Sequence, residues 1–128
     1  MILLDTDIMI DILRDYPPAV HWMQSIGDEA VALPGFVVME LIQGCQTKRE
    51  LTGLRKRLTP FHVYWPGADD CTQAVELFAR YYLSHQIGII DVLIGQLAAS
   101  SEGALYTFNK KPYAPIPGLK TVQPYRKD

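Results

Sequence analysis

The sequence has no apolar run approaching the roughly 20 residues that a membrane-crossing helix requires, so no helical span is expected. It is poor in cysteine: Cys45 and Cys71 are the only two, in no metal-like or redox-like spacing, as in a reduced cytosolic protein. The opening MILLDTD has no basic segment and meets an acid at once, so a cytoplasmic protein is expected rather than one carrying a signal peptide. His21, His62 and His85 lack ligand-like spacing and read as packing or surface residues. No repeat, low-complexity tract or Pro/Ser/Gly linker divides the 128 residues, which suits one domain over 1–128. Nor is there the positive excess of a passive nucleic-acid binder, since the formal net charge is −2. That sum hides an uneven spread. Lys48, Arg49, Arg55, Lys56 and Arg57 fall close together, and Lys110, Lys111, Arg126 and Lys127 crowd the later part. Solvated faces are the plainer reading of such runs, but an acidic site beside basic patches would give the same total. Net charge excludes neither.

What the sequence has in quantity is apolar residues, 48% of the chain, enough for one core. Ile2-Leu3-Leu4 stops at Asp5, as a buried parallel strand does. Asp7–Arg14 carries helical apolar spacing, with Thr6 as its expected cap. Pro17-Pro18 breaks that helix and opens a second over about Ala19–Ile26. Ala30–Leu33 reads as a strand ended by Pro34-Gly35, and a third helix runs from Phe36 to a stop at Gly44. A charged helix follows over Thr47–Arg57, closed by Thr59-Pro60, then a brief strand at His62–Tyr64. A long helix begins at Asp69 or Asp70 and reaches Ser84; another, almost wholly apolar, covers Ile89–Ser100. Leu105–Thr107 gives a fourth strand. Pro112–Gly118 holds three prolines and reads as a fixed loop, and Thr121-Val122 as a last short strand. Strands alternating with helices predict an α/β sandwich around a parallel sheet.

The informative residues are acids in apolar company. Asp5 follows a buried strand at its carboxyl end, the edge where open α/β sheets bind ligands. Glu40 lies within VVMELI and Asp91 within IIDVLI, where Gly95 and Ala98 would let the helix press close to the sheet. A buried carboxylate without a partner costs several kcal/mol. Taken singly, each could be paired by a distant base or sit at a helix N-terminus, as Asp91 could near the start of its helix. Taken together, three carboxylates meeting at one sheet edge repel, and a divalent cation is the simplest remedy. Oxygen ligands without histidine or cysteine suit Mg²⁺ or Mn²⁺, the usual apparatus for phosphoryl chemistry.

LLDTDIMIDIL, VVMELIQG, GIIDVLIGQLAA and LYTFNKK, followed by IPGLKTVQPY, resemble the ordered motifs of PIN-domain proteins, above all the VapC-like toxins of bacterial toxin–antitoxin pairs. The resemblance implies a three-layer α/β/α sandwich with a four- or five-stranded parallel sheet in the order 3-2-1-4-5. It makes Asp5, Glu40 and Asp91 catalytic metal ligands, and Thr6, Thr107 and Asn109 supporting residues. It further implies an endoribonuclease that cuts transfer or ribosomal RNA and leaves a 3′-hydroxyl, a homodimer, and a cognate antitoxin that blocks the site. An activated water would be the nucleophile, so the 2′-hydroxyl need not take part.

The last motif departs from the pattern. It reads TFNKKPY where such toxins often carry KHF or an acidic DF pair, so Pro112 replaces a frequent histidine and no acid follows Asn109 until Asp128. Asn109 would hold a cation more weakly than aspartate and would orient water or a phosphate. Lys110 and Lys111 could contact phosphate, and the basic residues from Arg49 to Arg57 could track structured RNA; for these lysines a solvated surface is the plainer role. Asp7 and Asp11 read as a solvated helix start favoured by the helix dipole. Tyr81-Tyr82 reads as core or dimer surface. A signalling receiver is disfavoured, because the acids lie mainly on helices and no lysine stands at the required later strand. A PIN-like module that only binds RNA or protein remains the alternative.

Overall fold

The computed structural model describes residues 1–127. Five parallel strands, β1 (Ile2–Leu4), β2 (Val31–Pro34), β3 (His62–Tyr64), β4 (Ala104–Tyr106) and β5 (Thr121–Val122), form one sheet in the order β3-β2-β1-β4-β5. The expected strand order and the α/β sandwich are therefore present. Successive strand residues point to opposite faces. Leu3 and Leu4 are both fully buried, so helices cover the sheet on both sides. The helices are α1 (Thr6–Leu13), α2 (Pro17–Ser25), α3 (Gly35–Gln43), α4 (Lys48–Leu58), α5 (Ala68–His85) and α6 (Ile89–Ser100). None is long and apolar enough to cross a membrane.

Local chemistry explains where the boundaries differ from expectation. The cap of α1 is Asp5, not Thr6: Asp5 is extended, and its Oδ1 accepts the Thr6 N–H at 2.8 Å. An ionised carboxylate beats a hydroxyl for that orphan donor. Helix α2 begins at the proline pair itself, because a first-turn proline loses no hydrogen bond. Strand β2 is shifted by one residue and includes Pro34, which sits in register with Tyr64 at the strand's end. Helix α4 begins one residue later than expected, because Thr47 is its cap, accepting the Glu50 N–H at 3.1 Å. Lys111–Tyr113 is a single 3-10 turn rather than plain loop; Pro112 fits its first positions, where no N–H is needed.

Gly35 and Gly95 are among the glycines at which another group approaches too closely for a side chain. A Cβ on Gly35 would lie 2.3 Å from the Trp65 ring, so the start of α3 is sealed by that indole. A Cβ on Gly95 would lie 2.3 Å from Ile116 Cδ1 and 3.2 Å from Tyr113 Cδ1. Gly95 therefore receives the Tyr113–Ile116 segment, whereas sequence reasoning gave its space to the sheet. This packing carries Tyr113 toward the carboxyl edge.

Candidate active site

The turn from β1 into α1 fixes Asp5 at the sheet's central carboxyl edge, and two further helices bring acids to it. Asp5, Thr6, Asp7, Glu40, Asp91 and Asn109 line one concavity of about 220 Å³, together with Ile10. The three acids singled out in the sequence thus share a pocket, with two of the predicted supporting residues, Thr6 and Asn109, in its lining. Among the described residues, the ion pairs are Arg57–Asp15 and Lys127–Asp11; neither involves Asp5, Glu40 or Asp91. The alternative of a distant base for each acid is not what the chain uses.

Hydroxyls serve these carboxylates instead. Asp5 Oδ2 accepts from Thr107 Oγ1 at 2.9 Å and from the Tyr113 hydroxyl at 2.8 Å. Thr6 Oγ1 donates to Glu40 Oε1 at 2.8 Å. The Tyr113 hydroxyl also stands 3.4 Å from Asp91 Oδ1. Such donors orient a carboxylate but cancel none of its charge. Burial accordingly pushes the Asp5 carboxyl up to about 6, against the hydrogen bonds of Thr6, Tyr113 and Thr107. Asp91 is raised by burial first and by the neighbouring Glu40 second. Burial, then the charges of Asp5 and Asp91, holds the Tyr113 phenol well above its ordinary range, so it is a firm donor.

Asp7 and Asp11 do not belong to a solvated helix start. Asp7 accepts the backbone N–H of Phe108 at 2.9 Å through Oδ2, and Thr107 Oγ1 stands 3.4 Å from the same oxygen. Asp11 accepts from the Tyr125 hydroxyl at 2.8 Å and pairs with Lys127 at 2.9 Å. Burial and then the Asp11 bond hold the Tyr125 phenol above its usual range. Both acids fasten later segments onto α1. The helix dipole explains acids at a helix start but not these distant donors, which only the fold supplies.

Tyr113 was missed by sequence reasoning. Nothing local ties it to Asp5, 108 residues away; the one signal was Gly95, four residues after Asp91, which left room for a ring from elsewhere. Lys110 and Lys111 are exposed and follow Asn109 directly, and Arg49 is exposed on α4. Of the tyrosine pair, Tyr81 packs against the core and Tyr82 is 52% exposed.

An oxygen-only, net-anionic concavity fits a hard divalent cation. Among the described residues, however, no three acidic, histidine or cysteine side chains stand as a closed metal cluster. The two observations are compatible for Mg²⁺. That ion keeps several waters and is typically held by one or two carboxylates and substrate phosphate rather than an all-protein cage.

Comparison with known proteins follows the same line. No curated protein matches the sequence. Solved structures share its fold at low identity. A toxin–antitoxin complex from Klebsiella pneumoniae superposes with TM-score 0.77 at 24% identity, covering 99% of this chain and 100% of that one. FitAcB from Neisseria gonorrhoeae gives 0.76 at 22%, covering 97% and 98%. VapBC2 from Rickettsia felis, bound to a DNA fragment from its promoter, gives 0.77 at 21%, covering 95% and 98%. The PIN domain family matches residues 2–115, and this chain belongs to it.

Proposed function

We propose that this protein, one PIN-like domain over 1–128, is a divalent-metal-dependent endoribonuclease acting in the cytoplasm as the toxin of a VapBC-type toxin–antitoxin pair. The observation that carries the reading is the pocket shared by Asp5, Glu40 and Asp91 without a cationic side chain to neutralise it. In this reading those three hold Mg²⁺ or Mn²⁺, which when bound supplies positive charge to the phosphate and lowers the pKa of water. Thr6 orients Glu40, Thr107 and Tyr113 orient Asp5, and Asn109 at the rim orients water or a phosphate oxygen. Lys110, Lys111 and Arg49 contact the backbone of a structured RNA such as transfer or ribosomal RNA.

The partners follow from the surface. An apolar groove lined by Ile10, Leu13, Leu41 and Leu54 shares Thr6, Ile10 and Glu40 with the acidic concavity. An antitoxin segment seated there would reach the carboxylates, which suits the complexes formed by the structural relatives. Met39, Val75, Leu83 and Ile89, on α3, α5 and α6, are exposed apolar side chains that favour a homodimer.

One observation favours the alternative of a module that binds RNA or protein without cutting: the last motif adds Asn109, not an acid, to the pocket. Purified protein incubated with transfer RNA separates the two. Cleavage leaving 3′-hydroxyl ends, present with Mn²⁺ and abolished by EDTA, is expected. Activity that survives full chelation overturns the metal mechanism, and intact RNA despite bound Mn²⁺ leaves the binding module.

A further inference from the structure

Tyr113 is the one buried phenol that faces this acid pocket, and its ring is fixed independently of the acids. It is 2% exposed, sits against Gly95 on α6, and belongs to the 3-10 turn that Pro112 stiffens. Its hydroxyl lies 2.8 Å from Asp5 Oδ2 and 3.4 Å from Asp91 Oδ1, so one rigid group touches both the acid that caps α1 and an acid of α6. A carboxylate has two oxygens and about four lone-pair positions. On Asp5, Oδ2 receives two hydroxyl hydrogens, from Thr107 and Tyr113, while Oδ1 receives only the Thr6 N–H. Oδ2 is therefore saturated and Oδ1 keeps a free position.

Resting on the reading of this site as a metal-dependent nuclease, we propose that Tyr113 is a positioning residue: its hydroxyl sets the spacing of Asp5 and Asp91 and leaves Asp5 to bind a divalent cation through Oδ1 alone. A purely stabilising role would not need a second acid. One hydroxyl brings one hydrogen and no charge, so it leaves the repulsion between the acids in place. What it fixes is their geometry. Groups that orient metal ligands in this way typically change affinity by about 10–100-fold when removed.

The test is Tyr113→Phe, which keeps the ring against Gly95 and removes only the oxygen. Mn²⁺ binding without RNA is measured by titration calorimetry on wild type, Tyr113→Phe and Glu40→Gln, with thermal melting of the metal-free proteins alongside. The expected result is a Kd for Mn²⁺ raised about tenfold or more in Tyr113→Phe, a metal-free protein that still melts cooperatively at a modestly lower temperature, and a lower kcat with unchanged KM for RNA. A folded Tyr113→Phe that binds Mn²⁺ like wild type overturns the inference, and so does a variant that fails to fold, since the hydroxyl would then be structural. If wild type and Glu40→Gln both ignore Mn²⁺, the nuclease reading itself falls, and the inference with it.

Discussion

Helix α1 and the turn before it carry acids of two kinds, and they are served differently. Asp7 and Asp11 meet donors from the later chain: the Phe108 N–H for one, the Tyr125 hydroxyl and the Lys127 ammonium for the other. Lys127 also lies 4.7 Å from the centre of the Phe108 ring, and Phe108 packs edge-on to Tyr125 at 5.0 Å, so this face is a closed clasp. Asp5 has as many hydrogen bonds as either, yet it and its neighbours Glu40 and Asp91 meet no cation. The count of hydrogen bonds does not separate structure from function here. Between Asp5 and Asp11 the balance of charge does: Lys127 pairs with Asp11, whereas Asp5, Glu40, Asp91 and Asp7, which line one pocket, have no cationic partner among the described residues. Donors make all these acids orderly, but only those without a counter-charge are left to attract one from solution.

Neutralising one pocket acid and one clasp acid separates their roles. Asp91→Asn is expected to lower RNA cleavage more than about 100-fold, since even groups that merely orient a metal ligand are worth up to that much. Asp11→Asn is expected to leave the rate per folded molecule near wild type. Equal losses in a cleavage assay would mean the two sets are not distinct.

Next in size is pH. The Asp5 carboxyl rises from 3.8 to about 6 because of burial, and the interval is worth about 3 kcal/mol. The folded protein holds that proton more tightly than the unfolded chain. The contribution is therefore full below about pH 4 and lost as pH rises to about 6, and Asp91 adds in the same direction. Urea midpoints of EDTA-treated protein should fall across this window, and excess Mg²⁺ at pH 7 should restore them. A midpoint that climbs steadily from pH 4 to 7 without metal would contradict the assignment.

The smallest effect belongs to the clasp. Removing the Asp11 carboxylate with Asp11→Ala should cost about 1.5–3 kcal/mol, the range for hydrogen bonds to a charged partner. Mn²⁺ affinity should not change. A titration showing weaker Mn²⁺ binding in Asp11→Ala would join the two regions that the geometry keeps apart.

Much of this was legible in the sequence, and the exceptions share a cause. Buried Ile2-Leu3-Leu4 ending at Asp5 gave away the central strand and its functional edge, because a parallel strand is apolar on both faces and an acid just past it is conspicuous. Glu40 and Asp91 stood out for the same reason. Tyr113 did not, because a tyrosine among prolines and lysines breaks no local rule. Asp7 and Asp11 were misjudged because their donors lie 101 and 114 residues away. Contrast with immediate neighbours is visible along a chain; partnership across it is not.

The arrangement of Asp5 has a consequence for when the pocket can exist. Its two hydroxyl donors come from positions 102 and 108 residues further along, beyond the β4 strand that pairs with β1. Synthesis runs from the N-terminus at about 5–20 residues per second, and distant pairings of this kind form late. A chain synthesised only as far as α6 thus carries all three principal acids without the tyrosine and threonine that align them. Alignment of the pocket is therefore among the last things the chain acquires.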